Sequence, residues 1–155
     1  MQDRKSGGYT KKILVVDDQR SQLKLMKKML EKIGYMAVTV DSAEEAEHIL
    51  RCEESFSMII TDLKMPWLDG LSFCKKAKIL DPNLKIFALS GFLYDFDNNE
   101  LEDAGFDGIY EKPISKAQLA EILNVDIEKT WDLSFAPMTN GIWSYQNLGT
   151  LPQLE

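Results

Sequence analysis

The sequence predicts an α/β protein in which helices cover both faces of a parallel β-sheet. Five short apolar runs alternate along the 155-residue chain with stretches whose apolar residues recur at helical spacing. This alternation is typical of parallel strands joined by helical crossovers. The third run, residues 58–61, is uninterrupted by charge, which suits a central strand covered on both faces. A chain of this length is predicted to form one well-buried domain.

The first half of the chain holds two predicted strand–helix pairs. Residues 13–16 form the first apolar run, and apolar side chains then recur at helical spacing up to Gly34, a residue typical of helix ends. Residues 37–40 predict the second strand. The second helix is expected to start at Ser42, because Ser42 and Glu45 have the spacing of a capping box.

The second half continues the same pattern. Residues 58–61 predict the third strand, and the helix after it ends before Pro82 because the residue preceding a proline disfavours helical backbone. Residues 85–89 predict the fourth strand. The fourth helix, predicted over residues 95–104, is the weakest, because it has few apolar anchors. Residues 108–111 predict the fifth strand.

The last predicted helix leads into a different kind of sequence. It starts at Ser115, which forms a second capping-box pattern with Gln118. We predict a flexible N-terminal arm over residues 1–11 and the folded domain over residues 12–124. Residues 125–155 are an aromatic-rich C-terminal tail, which either docks on the domain or a partner, is disordered, or is a truncated linker into another domain.

Composition argues against several classes of protein. The 25 acidic residues outnumber the 18 basic ones, and the net charge of -7 argues against a nucleic-acid-binding surface. No segment approaches the roughly 20 apolar residues of a membrane span, and no signal-peptide core follows the polar start. We therefore expect a cytoplasmic protein in which Cys52 and Cys74 are buried, reduced thiols.

Four of the five predicted strands end in residues suited to a phosphoryl and metal site. In an open parallel sheet, ligands bind outside the carboxyl ends of the strands. The residues at these ends are therefore expected to meet in space although they are far apart in the sequence. They are the pair after the first strand and one residue after each of the third, fourth and fifth: Asp17, Asp18, Asp62, Ser90 and Lys112.

The residue types at these strand ends indicate phosphoryl chemistry. Three neighbouring carboxylates repel one another, and a hard divalent cation such as Mg²⁺, which prefers oxygen ligands, relieves the repulsion. Lys112 adds a fixed positive charge and Ser90 a hydroxyl donor. A carboxylate in such surroundings can attack a phosphoryl group. Asp62 is the best nucleophile candidate, because it stands alone on the central strand, whereas the acidic pair is better placed to hold metal.

Taken together, the motifs resemble a known family. The segments Ile-Leu-Val-Val-Asp-Asp at 13–18, Asp-Leu-Lys-Met-Pro at 62–66 with Asp-Gly at 69–70, Ser-Gly at 90–91 and Lys-Pro-Ile at 112–114 look like the receiver domain of a two-component response regulator. The resemblance covers about residues 12–124. It implies a flavodoxin-like, three-layer αβα sandwich of the chemotaxis-regulator type, with five parallel strands in the order 2-1-3-4-5.

The resemblance also implies a metal-assisted phosphoacceptor site. Asp62 would take a phosphoryl group from a histidine kinase or phosphotransfer protein. Mg²⁺ would be bound directly by Asp18, Asp62 and the backbone carbonyl of Lys64, with Asp17 acting through water. Such a domain is a signalling module and no enzyme in the ordinary sense, since it catalyses only its own phosphorylation and dephosphorylation.

Further roles implied by the resemblance concern the switch. Lys112 and Ser90 would contact the phosphoryl oxygens, and the peptide bond between Lys112 and Pro113 would be cis. Tyr110 matches the switch aromatic, whose ring turns inward as the hydroxyl of Ser90 moves toward the phosphate. The expected partners are the kinase, an unidentified downstream protein and, as an open possibility, a second copy of the chain.

Two other functions fit the residues less well. An aspartate-nucleophile phosphatase of the haloacid dehalogenase type needs Asp-x-Asp directly after the first strand, whereas this chain has Asp17-Asp18-Gln19. A flavodoxin-like nucleotide binder needs a Gly/Ser/Thr-rich loop there, and two carboxylates would repel its phosphate. Within the receiver interpretation, the chain is either a stand-alone regulator or a module excised from a hybrid histidine kinase or multidomain regulator.

Overall fold

The fold is a five-stranded parallel sheet with helices on both faces, in strand order β2-β1-β3-β4-β5. A computed structural model describes residues 11–52 and 56–124. The predicted sandwich and its strand order are confirmed. The predicted tail lies outside the described residues, as does the arm except for its last residue, so the domain boundaries stay predictions.

The strands and helices alternate as the sequence predicts. The strands are β1 (Lys12–Val16), β2 (Met36–Val40), β3 (Met58–Asp62), β4 (Lys85–Ser90) and β5 (Gly108–Glu111). The helices are α1 (Arg20–Ile33), α2 (Ala43–Cys52), α3 (Gly70–Leu80), α4 (Asn98–Ala104) and α5 (Lys116–Leu123). A short 3₁₀ turn, Leu93–Asp95, precedes α4. Within the described residues, none of these helices is long and apolar enough to span a membrane.

The two largest hydrophobic clusters of the described residues, one on each face of the sheet, hold the layers together. The core beneath α1 and α5 includes Ile13, Met29, Leu30, Ile60 and Leu119. The core beneath α2 and α3 includes Leu14, Val16, Ile59, Phe73 and Ile86. Full burial of such a side chain contributes about 1.5–3 kcal/mol. Because β1 and β3 contribute alternate residues to both cores, the carboxyl ends of these two strands are firmly positioned.

Side-chain caps explain where several helices begin. Ser115 and Gln118 form the complete capping box predicted for α5. At α2 the structure shows Ser42 Oγ accepting a hydrogen bond from the backbone N–H of Glu45 at 3.2 Å. At α3, which the sequence marks only by its apolar spacing, Asp69 accepts from the backbone N–H of Ser72 at 2.8 Å. Such caps satisfy backbone donors that have no partner within the helix.

Two sequence-based expectations are wrong. The fourth helix does not begin at residue 95: the 3₁₀ turn ends there, and α4 starts at Asn98 with Asp97 as its cap. The reason is that the Asp97 side chain accepts from the N–H of Asn99 at 2.7 Å, which fixes the first turn. Cys74 is buried, and burial raises its pKa to about 12. Cys52, in contrast, is exposed, because it lies on the outward face of the last turn of α2.

The Asp107 carboxylate lies at the opposite end of the sheet from the predicted site. It links β4 to the residue just before β5. Asp107 accepts hydrogen bonds from the backbone N–H of Ile86 at 2.8 Å and from Lys78 Nζ at 2.9 Å. Burial acts to raise the pKa of Asp107, but these hydrogen bonds and the positive charges of Lys78 and Lys85 outweigh it. The pKa therefore lies below its ordinary value of 3.8.

Replacing Asp107 by Asn should lower the free energy of unfolding at neutral pH by about 1–2 kcal/mol. Because the folded pKa is lowered, this stabilisation is present above the ordinary pKa of 3.8 and is lost as the pH falls through the folded pKa. Urea melts of wild type and variant should therefore converge once the pH falls below the lowered folded-state pKa of Asp107. Replacing the exposed Asp103 of α4 by Asn is the control. A difference that stayed constant with pH would contradict the assignment.

Candidate functional site

The strands bring the predicted residues together because they are parallel and their ends are aligned. Val16, the last residue of β1, pairs with Thr61 of β3. Ser90, the last residue of β4, pairs with Glu111 of β5. Strand ends that pair in this way lie at one edge of the sheet. The predicted site residues lie at or directly after these pairs: Asp17, Asp18, Asp62, Ser90 and Lys112.

The three carboxylates form one acidic cluster. One oxygen each from Asp17, Asp18 and Asp62 lie within 4.8 Å of one another. Asp17 and Asp62 are buried, whereas Asp18 is exposed. Mg²⁺ binds oxygen at about 2.0–2.1 Å, so opposite ligands of one ion are about 4 Å apart. The oxygen spacing and the hard donor set therefore fit Mg²⁺ after small side-chain movements.

Lys112 neutralises part of this cluster. Its Nζ lies 2.8 Å from an oxygen of Asp17 and 3.4 Å from an oxygen of Asp62. Burial acts to lower the pKa of Lys112, but the charges of Asp17 and Asp62 outweigh it and hold the pKa above its ordinary value. Lys112 is therefore a fixed cation that bridges the carboxylates at the ends of β1 and β3.

The surroundings of Asp62 disfavour its ionised carboxyl. Its burial raises the pKa of the carboxyl; the positive charge of Lys112 opposes this shift, and the negative charge of Asp17 adds to it. The net result is a pKa above the ordinary value. A weak hydrogen bond from the backbone N–H of Lys64, at 3.4 Å, reaches the second oxygen of Asp62. Added positive charge would stabilise the ionised form of this carboxyl.

Ser90 is fully buried beside the acidic cluster. Its Oγ accepts a hydrogen bond from the backbone N–H of Phe92 at 3.1 Å, which leaves the hydroxyl proton to be donated elsewhere. The Ser90 carbonyl accepts from the backbone N–H of Lys112 at 2.8 Å. The peptide bond between Lys112 and Pro113 is cis, as the resemblance implies. The hydrogen bond between the two backbones ties Ser90 to Lys112.

The profile of the response regulator receiver domain matches residues 13–124, well over half of the chain. The chain belongs to the response regulator receiver domain family. Such a domain is a signalling module of two-component systems and not an enzyme of the ordinary kind. Its partners as a class are histidine kinases and downstream targets. The sequence-based identification is confirmed.

Relatives of the receiver include both short and long proteins. The response regulator receiver protein CpdR of Brucella abortus is 38% identical over 82 residues, which are 53% of this chain and 68% of that protein. The hybrid signal transduction histidine kinase L of Dictyostelium discoideum is 29% identical over 119 residues, 72% of this chain but 7% of the kinase. The chain also spans 45% of the Bacillus subtilis regulator PhoP, at 33% identity over 109 residues and 70% of this chain.

Solved structures show the same fold. A receiver domain (CheY-like) from Methylobacillus flagellatus is 31% identical with a TM-score of 0.66, covering 74% of this chain and 96% of that one. The response regulator TrrA from Thermotoga maritima, solved in complex with Mg(2+)-BeF, is 26% identical with a TM-score of 0.67. That match covers 74% of this chain and 97% of TrrA.

Tyr110, the predicted switch residue of the receiver, lies apart from the acidic cluster. It is half-buried on β5, and its ring packs against Phe87 of β4 with centroids 6.4 Å apart. Its neighbour across the sheet is Leu89, one residue before Ser90. The structure therefore places Tyr110 next to the strand that carries the hydroxyl, without contact to the acidic cluster among the described hydrogen bonds.

Sequence reasoning missed the role of Gly70. A Cβ on this residue would overlap the backbone carbonyl oxygen of Asp62 and would lie 2.8 Å from Cα of Leu63. The backbone N–H of Gly70 donates to the Leu63 carbonyl at 2.9 Å. The start of α3 therefore lies directly against the backbone at the end of β3. The Asp-Gly pair at 69–70 was the available signal, but it reads equally well as a simple turn.

Sequence reasoning also missed a contact between two loops at the edge of the site. Lys64, in the loop after β3, and Phe92, in the loop after β4, lie 5.1 Å apart, measured from Nζ to the ring centroid. No pattern within either loop could reveal the contact, because it depends on how the two loops approach one another.

Proposed function

We propose that the chain is a phosphoacceptor that receives a phosphoryl group on Asp62 from a phosphohistidine of a histidine kinase or phosphotransfer protein. The observation that carries this proposal is the position of Lys112 Nζ. It lies 3.4 Å from the Asp62 carboxylate at the C-terminal end of the central strand, β3. A fixed cation beside a buried carboxylate lowers the repulsion between that nucleophile and an incoming phosphoryl group.

The proposed transfer is a single in-line displacement. An oxygen of Asp62 forms a bond to phosphorus as the bond between phosphorus and the donor imidazole nitrogen breaks. The nitrogen keeps the electron pair, and the product is an acyl phosphate. Lys112 holds one phosphoryl oxygen by charge, and Ser90 donates its hydroxyl proton to another. Both groups already lie at this edge of the sheet.

The residues at the site would hold Mg²⁺ in the proposed active form. Asp18 and Asp62 would bind the ion directly together with the backbone carbonyl of Lys64, and Asp17 through water. When bound, Mg²⁺ supplies positive charge to the carboxylates and to the phosphoryl oxygens. The acidic cluster supports this proposal, as does the Mg(2+)-BeF complex of the Thermotoga maritima relative.

Phosphorylation is proposed to change a protein-interaction surface through Ser90 and Tyr110. Movement of the Ser90 hydroxyl toward the phosphate would remove its contact with the loop after β4, and the ring of Tyr110 would follow inward. We propose a cytoplasmic setting and an unidentified downstream protein target, with a homodimer as a further possibility. The relatives include a receiver protein and a hybrid histidine kinase. They support equally a stand-alone regulator and a module of a longer protein.

Acetyl phosphate with Mg²⁺ should add the mass of one phosphoryl group to the chain, as intact mass spectrometry will show. Because the product is an acyl phosphate, neutral hydroxylamine should remove the group, whereas a phosphate ester on Ser or Thr would survive this treatment. Omitting Mg²⁺ should greatly reduce labelling. A label that resists hydroxylamine would contradict the assignment of a carboxylate acceptor.

A further inference from the structure

An imidazole and a thiol lie side by side on the outward face of α2. The Sγ of Cys52 is 3.9 Å from Nε2 of His48, and both side chains are exposed. Residues four apart in a helix occupy the same face one turn from each other. The backbone of α2 therefore holds both groups toward solvent, where an ion can reach them.

This pair is remote from the acidic cluster. Strands β2 and β3 both run parallel to β1, so α2 must carry the chain back from the carboxyl end of β2 to the start of β3. Cys52 is the last residue of α2. It lies, with His48 one turn before it, toward the end of the sheet opposite the acidic cluster.

The spacing of the two ligand atoms fits a tetrahedral metal ion. Zn²⁺ binds imidazole nitrogen at about 2.0–2.1 Å and thiolate sulfur at about 2.3 Å, which places the two ligand atoms about 3.6 Å apart at a tetrahedral angle. The observed 3.9 Å between Nε2 and Sγ needs only a small side-chain adjustment. Sulfur and imidazole also select against Mg²⁺ and Ca²⁺, which prefer oxygen.

We propose that His48 and Cys52, here called the α2 ligand pair, form a second metal site that takes Zn²⁺ through Nε2 and Sγ. Binding displaces the thiol proton to solvent, because the thiolate is the ligand. This inference is independent of the proposed phosphoacceptor function.

The surroundings of the α2 ligand pair favour a cation with open coordination positions. Helix α2 carries three glutamates against one arginine, so its surface is negative overall. In the part of the chain that the structure describes, the acidic cluster is the one place where three carboxylate, imidazole or thiol ligands meet. Water therefore completes the coordination of Zn²⁺ at the α2 ligand pair, as in zinc sites that keep an open position.

The test is a titration of the full chain with Co²⁺, under a reductant that is not itself a thiol and with excess Mg²⁺ to occupy the acidic cluster. Cobalt bound to a thiolate gives a sulfur-to-metal charge-transfer absorbance, whereas cobalt bound only to carboxylates does not. Wild type should develop this absorbance, and Zn²⁺ should remove it by displacing Co²⁺. Cys52→Ser should lack it. His48→Ala should need at least about tenfold more Co²⁺, since even the loss of a group that only orients a metal ligand costs that much.

Two variants control for other ligands. Cys74→Ser should keep the absorbance, because Cys74 is buried and its thiol already donates to the Ala104 carbonyl at 3.2 Å. Asp18→Asn should keep it as well, because it alters only the acidic cluster. Zn²⁺ should also slow the alkylation of Cys52 by iodoacetamide in wild type, followed by intact mass spectrometry, and protect it much less in His48→Ala.

A relocated histidine tests whether the pairing itself matters. Glu45→His combined with His48→Ala keeps one histidine on α2 but places it seven residues from Cys52, about 10 Å along the helix. This variant should bind Co²⁺ as weakly as His48→Ala alone. Full recovery would overturn the inference, as would wild-type affinity in His48→Ala, persistence of the absorbance in Cys52→Ser or its absence from wild type. Labelling of Asp62 by acetyl phosphate would stand in each of these cases.

Discussion

Replacement of Asp62 by Asn should abolish phosphorylation by acetyl phosphate. The amide oxygen is a far weaker nucleophile than the carboxylate, and the other carboxylates of the site, Asp17 and Asp18, lie on a different strand end. Intact mass spectrometry should show full labelling of wild type and none of the variant. The variant should also melt at or above the wild-type temperature, because the raised pKa of Asp62 means that the ionised carboxyl destabilises the fold at neutral pH.

The melting temperature makes this result interpretable. Loss of labelling in a variant that is at least as stable as wild type cannot arise from unfolding. Asp103→Asn, which removes an exposed carboxylate from α4, is the matched control and should be labelled like wild type. Equal labelling of Asp62→Asn and wild type would show that another residue is the acceptor.

Replacement of Asp18 by Asn should separate stability from metal binding. Asp18 is exposed but has an oxygen within 4.8 Å of the other two carboxylates, so its removal should stabilise the metal-free protein by about 1 kcal/mol. The same change removes a proposed direct ligand, so Mg²⁺ should bind much more weakly. Thermal melts should show a higher melting temperature without Mg²⁺ and a much smaller increase when Mg²⁺ is added.

Asp18→Asn should raise the melting temperature without Mg²⁺ but reduce the increase that Mg²⁺ produces. This combination distinguishes a metal ligand from an ordinary surface residue. A surface substitution without a role in metal binding would leave the Mg²⁺-induced increase intact, as Asp103→Asn should. If Asp18→Asn kept the full increase, Asp18 would not be a metal ligand. If the variant were less stable than wild type without Mg²⁺, the proposed repulsion within the acidic cluster would be wrong.

The sequence predicts most of the fold and the members of the acidic cluster, for a physical reason. A parallel sheet places all carboxyl ends at one edge, so Asp17, Asp62 and Ser90 could be grouped from their positions at the ends of apolar runs alone. The start of α4 could not be placed as well, because this helix buries only Leu101 and Ala104. With so few apolar anchors, one cap decides its first residue.

Contacts between loops were beyond prediction for a different reason. The approach of Lys64 to Phe92 depends on two backbone paths that share no repeating pattern. The exposure of Cys52 depends on which side of the last turn of α2 it occupies, a matter of a single residue at the end of a helix. The spacing of apolar residues locates the middle of a helix or strand far better than its ends. In the receiver, the start of α4 and the exposed Cys52 both lie at helix ends.

Gly70 has a consequence for anyone who would build chimeras from this domain. Because the start of α3 presses on the backbone of Asp62 and Leu63 without room for a single methyl group, α3 and β3 form one mechanical unit. A transplanted α3 that approached even slightly closer would displace Asp62 itself. Exchanges with a relative should therefore carry residues 58–80 as one block, with crossover points placed before β3 and after α3.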